Sequence, residues 1–239
     1  VNLKRTAKKT IVSFALFIVL FAFASINIVT SDTTSNSIAA SGTIIRPVTT
    51  VTINTELVAY GLGEVSKQST IDHLAKFTLL TLDFYKGPDL PRIRALNPDS
   101  IILGYKDVMS SAPEDADYAE VNQHEDWFLH DVNGSRLEWT QFGGYAMDVG
   151  NQGWREYFVR VVNQQLSNYS FDGVFADDVW DSFQYAGKWT VTASAIPAEI
   201  GHRWHNDMLG MIQYVKESIG IKLLIINTSN NGDFVAACD

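Results

Sequence analysis

The sequence predicts an α/β protein of the TIM-type (β/α) barrel kind. About five βα units are visible, so the barrel is expected to be incomplete. Three observations predict this. Short, continuously apolar runs alternate with stretches of helical periodicity, the pattern of a parallel sheet covered by helices. Strand after strand ends in a polar or aromatic residue, and a ring of such groups on one face is how a barrel builds its site. The rival architecture is an open doubly wound sheet. No G-x-G-x-x-G and no G-x-x-x-x-G-K-S/T follows any strand, which weakens the nucleotide-binding forms of that rival.

The chain begins with ten residues carrying Lys4, Arg5, Lys8 and Lys9, followed by an apolar run over 11–21 and Ala22-Phe23-Ala24 before Ser25. These are the three parts of a secretory signal peptide, expected over 1–24. The alternative is an uncleaved membrane anchor, since apolar residues continue through Ile26, Ile28 and Val29 and approach the lower length limit for a span. Either reading puts the remainder outside the cytoplasm, secreted or held at the cell surface. Residues 25–55 form a Ser/Thr-rich linker, and 56–239 form the folded domain.

Within that domain Glu56–Leu62 reads as a strand closed by glycine and Thr70–Phe77 as a helix. Phe77–Tyr85 is a second strand, and Leu90–Leu96 a short helix stopped by Asn97-Pro98. Ser100–Val108 is a third strand. A long insert over 110–143 carries Trp127 and Trp139. Loops of this length are usually functional or disordered, so the insert is expected to wall a cleft. Tyr145–Val149 is a short extended segment. Asn151 caps a helix over Gln152–Ser167, and residues 172–177 form the next strand. Ala198–Ser218 is a helix ended by Gly220, and Lys222–Asn227 is the fifth strand. Trp154 and Trp204 fall on helices and read as core.

The formal charge is −9 with a single cysteine, Cys238. Four cations stand in the first ten residues, so the body is more acidic than the whole. That argues against a nucleic-acid partner. One cysteine makes no intramolecular disulfide, so the fold relies on its packed core. Nothing in the sequence specifies oligomeric state, and no organic cofactor is implied.

Chemistry concentrates in Phe171–Asp181, FDGVFADDVWD. A short apolar strand opens directly into Asp177, Asp178 and Trp180, and ligands in parallel α/β folds bind at the carboxyl ends of strands. Strand parity sets Asp177 with Phe175 and turns Asp178 the other way if the strand continues. Lining residues come from this run and the other strand ends: Tyr60, Asp83, Tyr105, Lys106, Asp148, Asp178, Trp180 and Asn227. Trp180 and Trp189 offer flat faces for a sugar ring. His202, His205 and Glu199 lack the spacing of a zinc motif and read as a solvated helix face. Asp177, Asp178 and Asp181 have the oxygen chemistry of a Ca²⁺ or Mg²⁺ site but no graded ligand spacing, so no metal is assigned.

Three segments in order, HEDWFLHDVNGSRL (124–137), YAMDVGNQGWREYFVRVV (145–162) and FDGVFADDVW (171–180), resemble the glycoside hydrolase-like barrels. Among these the similarity is to the hypothetical glycosyl hydrolase family numbered fifteen, distinct from the glucoamylases. The resemblance spans roughly residues 56–230. It implies a (β/α) barrel whose fourth strand reads D-G-h-h-h-D and ends in the key carboxylate, here Asp177. It further implies hydrolysis of O-glycosidic bonds in an extracellular poly- or oligosaccharide. The sequence departs from the pattern in showing about five strands where the closed barrel has eight, as if C-terminally short. A shorter member, a missed strand and completion by association all remain open.

Glycosidic hydrolysis usually needs two carboxyl groups, one ionised and one protonated. Asp83, Asp148 and Asp233 are the candidates for the partner of Asp177, and the sequence does not choose among them. A non-catalytic carbohydrate-binding protein that lacks the acid is the alternative from another class. A metal-dependent hydrolase is a third.

Overall fold

Four of the apolar runs form one sheet because each buries a full face against helices. The computed structural model describes residues 66–139, 143–183, 195–228 and 232–238, all within the unit Ile53–Asp239. The expected signal peptide and linker, the expected strand over Glu56–Leu62 with Tyr60, and Trp189 lie outside the described residues.

The strands of the sheet are β1 (Leu79–Asp83), β2 (Ile101–Asp107), β5 (Gly173–Val179) and β6 (Leu223–Thr228). They lie in the order β1-β2-β5-β6, every neighbouring pair parallel. Each strand thus neighbours its successor, and each crossover carries a helix: α2 (Leu90–Leu96), α4 (Gln152–Asn168) and α5 (Ala198–Ile219). A helix α1 (Gln68–Leu74) precedes β1. These bounds match the predicted elements to within three residues.

Side chains alternate across the sheet. Leu80, Leu82, Ile102, Val174, Ala176 and Leu224 are buried on one face. Trp154, Phe158 and Val162 of α4 and Trp204, Met208, Met211 and Val215 of α5 belong to the same core, so Trp154 and Trp204 are core residues as read from the sequence. Gly104 stands on this face because the Phe84 ring occupies the place of its side chain; an added Cβ would lie 1.9 Å from Phe84 Cε1. The opposite face carries Tyr105, Asp107, Phe175, Asp177, Ile225 and Asn227, all only partly buried.

The local signals behave as their chemistry demands. Asn151 caps α4 by accepting from Trp154 N–H at 3.2 Å. Gly220 follows α5 with φ +61°, a left-handed geometry that favours glycine.

The insert does not wall a cleft through its tryptophans. It folds into β3 (Ser110–Ser111), α3 (Tyr118–Val121) and a 3-10 turn over Glu125–Trp127, and β3 pairs antiparallel with β4 (Tyr145–Ala146). Further bridges join Phe128 to Met147 and Glu138 to Tyr145. This second layer buries Trp127, Phe128, Leu129, Leu137 and Trp139. His124 stacks on Trp127 at 3.8 Å. Arg136 lies 3.6 Å over the Phe128 ring while pairing with Glu125. The insert is long because it carries its own hydrophobic cluster. A short helix α6 (Gly232–Ala236) follows β6. No helix among the described residues is long and apolar enough to cross a membrane.

Candidate active site at the carboxyl edge of the sheet

The β2–β5 register sets Tyr105 opposite Phe175 and Asp107 opposite Asp177. All four stand on the partly exposed face. On β6 the register slips: Ala176 pairs with Ile226 but Val179 pairs with Thr228. Asp177 and Asp178 together therefore oppose the single residue Asn227, a β-bulge that bends the strand and re-aims its side chains. Asp178 has φ +56°, uncommon for a residue other than glycine. Simple alternation, which turned Asp178 to the helix side, fails here because the strand is not regular at that step.

Asp177 is held by three donors. The Tyr105 hydroxyl donates to Oδ2 at 2.6 Å. Asn227 Nδ2 donates to Oδ1 at 2.8 Å, and the Asp178 amide donates to the same oxygen at 2.9 Å. Hydrogen bonds to an ionised carboxylate are the stronger kind, and these aim the group from three sides. Asp178 in turn accepts from Trp180 Nε1 at 2.9 Å. The Trp180 carbonyl accepts from Trp204 Nε1 at 2.9 Å, tying the loop after β5 to the core of α5.

Asp107 joins this group, although sequence reasoning left it out of the carboxyl candidates. Its Oδ1 accepts from the amides of Met109 at 2.8 Å and Ser110 at 3.0 Å. Its Oδ2 accepts from the Ser110 hydroxyl. Burial pushes its carboxyl well above the ordinary aspartate range. The negative charges of Asp178 and Asp177 push the same way, and the Ser110 and Met109 donors only partly oppose them. The signal that could have found Asp107 is parity: it shares the face of Tyr105, as Asp177 shares that of Phe175. Asp83 closes β1 in register with Tyr105 on this face and is partly exposed.

Two predicted lining residues are turned away. Lys106 has the opposite parity to Tyr105 and reaches Asp117 at 2.9 Å, with Nζ 5.7 Å from the Phe158 ring. Burial opposes ionisation of Asp117, yet the Lys106 charge and hydrogen bond outweigh it and hold the carboxyl below its ordinary range. Asp148 receives both Arg203 amino groups, at 2.7 and 2.9 Å, and accepts from Gly150 N–H at 3.0 Å. Arg203 also reaches Asp207 at 2.5 Å. Its guanidinium is held more firmly protonated still, through its bond to Asp148 first. Asp148 secures the turn into α4. Of the remaining carboxyl candidates, Asp233 lies on α6, 3.5 Å from His205 Nε2. His202 is exposed, and among the described residues no group of three or more His, Cys, Asp or Glu is placed to hold a metal.

The motif D-G-h-h-h-D thus has two ends with different work. Asp172 at its start binds the opposite edge of the sheet: Oδ2 accepts from Ile102 N–H at 2.7 Å and from Arg94 at 2.6 Å. Asp177 at its end faces the donors just described.

No curated protein is significantly similar to the chain. Among solved structures, it is similar to the glycoside hydrolase domain of PelA from Pseudomonas aeruginosa, at 16% identity over 66% of this chain and 55% of that one, with a TM-score of 0.49. It is similar to Ega3 from Aspergillus fumigatus, solved with galactosamine, at 13% identity over 67% and 55% of the two chains, TM-score 0.44. The maltogenic α-amylase AmyB from Thermotoga neapolitana matches at 17% identity over 73% and 43%, TM-score 0.47. The chain spans about half the length of these structures. The family described as hypothetical glycosyl hydrolase family 15 matches residues 94–239, from α2 through the whole Asp107–Asp177 site, and the chain belongs to that family.

Proposed function

We propose that this protein is an exported glycoside hydrolase that cleaves O-glycosidic bonds in an extracellular poly- or oligosaccharide, with Asp177 as its central carboxylate. The observation that carries the reading is the Asp177 carboxylate at the carboxyl edge of a parallel sheet, held by Tyr105, Asn227 and its neighbour's amide. Three donors fix the direction in which the group would meet an anomeric carbon. Family membership supports a glycosidase. The sequential parallel strands support a (β/α) barrel of which β1, β2, β5 and β6 are consecutive staves.

In this reading Asp83, Tyr105, Asp178, Trp180 and Asn227 line the substrate side, and Tyr60 is a further expected contact. Trp180 supplies a flat apolar surface for a sugar ring. The basic, apolar and small-residue segments of 1–24 support export. The test is a screen of neutral and amino-sugar polysaccharides for release of reducing ends, wild type against Asp177→Asn. Loss of about 1000-fold or more in turnover is expected for a residue acting at the reacting carbon. Hydrolysis undiminished in Asp177→Asn would remove Asp177 from the mechanism.

A further inference from the structure

We propose that Asp107 is the second carboxyl of this site: it carries the proton delivered to the leaving glycosidic oxygen, while Asp177, opposite it on β5, attacks the anomeric carbon. The proposal rests on the hydrolase reading above and assigns the residue that the reading lacks.

Position comes first. Asp107 and Asp177 are register partners on neighbouring parallel strands and share the partly exposed face. Neighbouring strands lie about 4.8 Å apart. Side chains leaving such a pair in register meet the roughly 5–5.5 Å carboxyl separation of retaining enzymes more readily than the roughly 6.5–9.5 Å of inverting ones.

Environment comes second. Each carboxyl accepts three hydrogen bonds, Asp107 from the Met109 and Ser110 amides and the Ser110 hydroxyl, and they differ in the charges around them. Asp177 has Tyr105, Asn227 and the Asp178 amide as donors. Asp107 faces Asp177 and Asp178 from β5 and Ser110 from β3, and no lysine or arginine is among the groups acting most strongly on it. Lys106, next in sequence, points through the sheet to Asp117. Burial and two neighbouring negative charges favour the neutral acid at Asp107. Of the two register partners, the one that burial and charge keep neutral is the one suited to act as the acid.

The step balances. Asp177 forms a bond to the anomeric carbon as the bond to the leaving oxygen breaks, and the departing electron pair takes the Asp107 proton. Asp107, now ionised, removes a proton from water. That water attacks the anomeric carbon, releases Asp177 and restores the acid. The configuration at the anomeric carbon is retained.

The test uses matched 2,4-dinitrophenyl and phenyl hexosides with Asp107→Asn and Asp177→Asn in the full chain. Asp107→Asn keeps the Oδ1 acceptor for the Met109 and Ser110 amides, and a melt followed by circular dichroism checks its fold. Dinitrophenolate leaves without a proton, so Asp107→Asn should retain kcat/KM for that hexoside within about tenfold, while its kcat falls because the water that attacks the glycosyl-enzyme has lost its base. On the phenyl hexoside kcat/KM should fall about 10²–10⁴-fold, the usual contribution of a general acid. Asp177→Asn should lose both, and azide should restore Asp107→Asn with a glycosyl azide product. Equal losses of kcat/KM on both hexosides, or none on the phenyl one, would overturn the assignment.

A readout free of turnover is the ¹³C titration of the Asp107 carboxyl in the wild type. It is expected above the ordinary aspartate value of about 3.9, and an ordinary or lower value overturns the proposal. If Asp107 titrates high but neither hexoside nor any polysaccharide is cleaved, the hydrolase reading falls, and the acid role with it.

Discussion

The Tyr105 hydroxyl donates to Asp177 Oδ2 across the β2–β5 pair at 2.6 Å, and Asn227 donates to the other oxygen from β6 at 2.8 Å. The carboxylate of the middle strand is therefore steered from both neighbours. A hydrogen bond to a charged group contributes about 1.5–3 kcal/mol. Tyr105→Phe and Asn227→Ala are each expected to lower kcat/KM by about 10–100-fold for the same reason. The double variant should lose less than the product of the two, since both act through one carboxylate. Reducing-end release measures all three. A rise in KM with kcat unchanged would instead make these residues substrate contacts that do not steer Asp177.

Asp107 makes stability depend on pH in an unusual direction for an aspartate. Burial and the charges of Asp178 and Asp177 hold its carboxyl well above the usual aspartate range, so the fold favours the protonated form. That contribution is fully present below the unfolded value and is lost as pH rises through the folded one. Asp107→Asn, which cannot ionise, should match the wild type near pH 3 and exceed it at neutral pH. Asp117 works in the opposite sense: Lys106 lowers its value, so its contribution is present above the unfolded value and fades as pH falls through the lowered one. Urea midpoints of wild type and Asp107→Asn from pH 3 to 8 measure the difference. A constant offset between the two curves would contradict the account.

The two aspartates of the D-G-h-h-h-D stretch should separate cleanly by mutation. Asp172 accepts from the buried Ile102 amide and from Arg94, which also reaches the Ser170 carbonyl at 2.8 Å. Asp172→Ala strands that amide and half of the guanidinium. A cost of about 1–3 kcal/mol is expected for the unsatisfied donor, with the ion pair adding little because its side chains are partly exposed. Chemical denaturation should show this loss while kcat of the folded protein stays unchanged. Asp177→Asn should do the reverse.

Strand and helix bounds were legible because burial on one face imposes a period, and the period is written in the residues. Leu80, Leu82, Ile102, Val174 and Leu224 sit where alternation puts them. Asp177 was legible as the polar end of such a run. Parity alone put Asp107 on the face of Tyr105, but pairing it with Asp177 requires knowing which strands are neighbours and in what register, and that is a tertiary fact. Asp178 defeated the alternation rule because a bulge inserts one residue between Ala176 and Val179. Trp127 and Trp139 were read as part of a cleft wall because the insert's own antiparallel layer, which buries them, has segments too short to leave a periodic signal.

Asp148 and Lys106 test whether strand-end position alone makes a site residue. Both were read as lining, and both are engaged away from the Asp177 group: Asp148 with Arg203, and Lys106 with Asp117. Asp148→Asn weakens a two-pronged contact that also anchors Asp207 through Arg203. These side chains are partly exposed, so a loss of only about 0.5–1.5 kcal/mol is expected after solvent screening. Lys106→Met removes one charge and leaves Asp117 half-buried, and its cost should be larger, about 1–3 kcal/mol. The Lys106→Met, Asp117→Leu pair should recover much of that loss, since apolar replacement of a shielded ion pair is often neutral or better. In all three variants kcat/KM of the folded protein should stay within about threefold of wild type, because none of the altered groups reaches Asp177. A selective fall in kcat/KM for Lys106→Met, with the melt unchanged, would return Lys106 to the substrate side of the sheet.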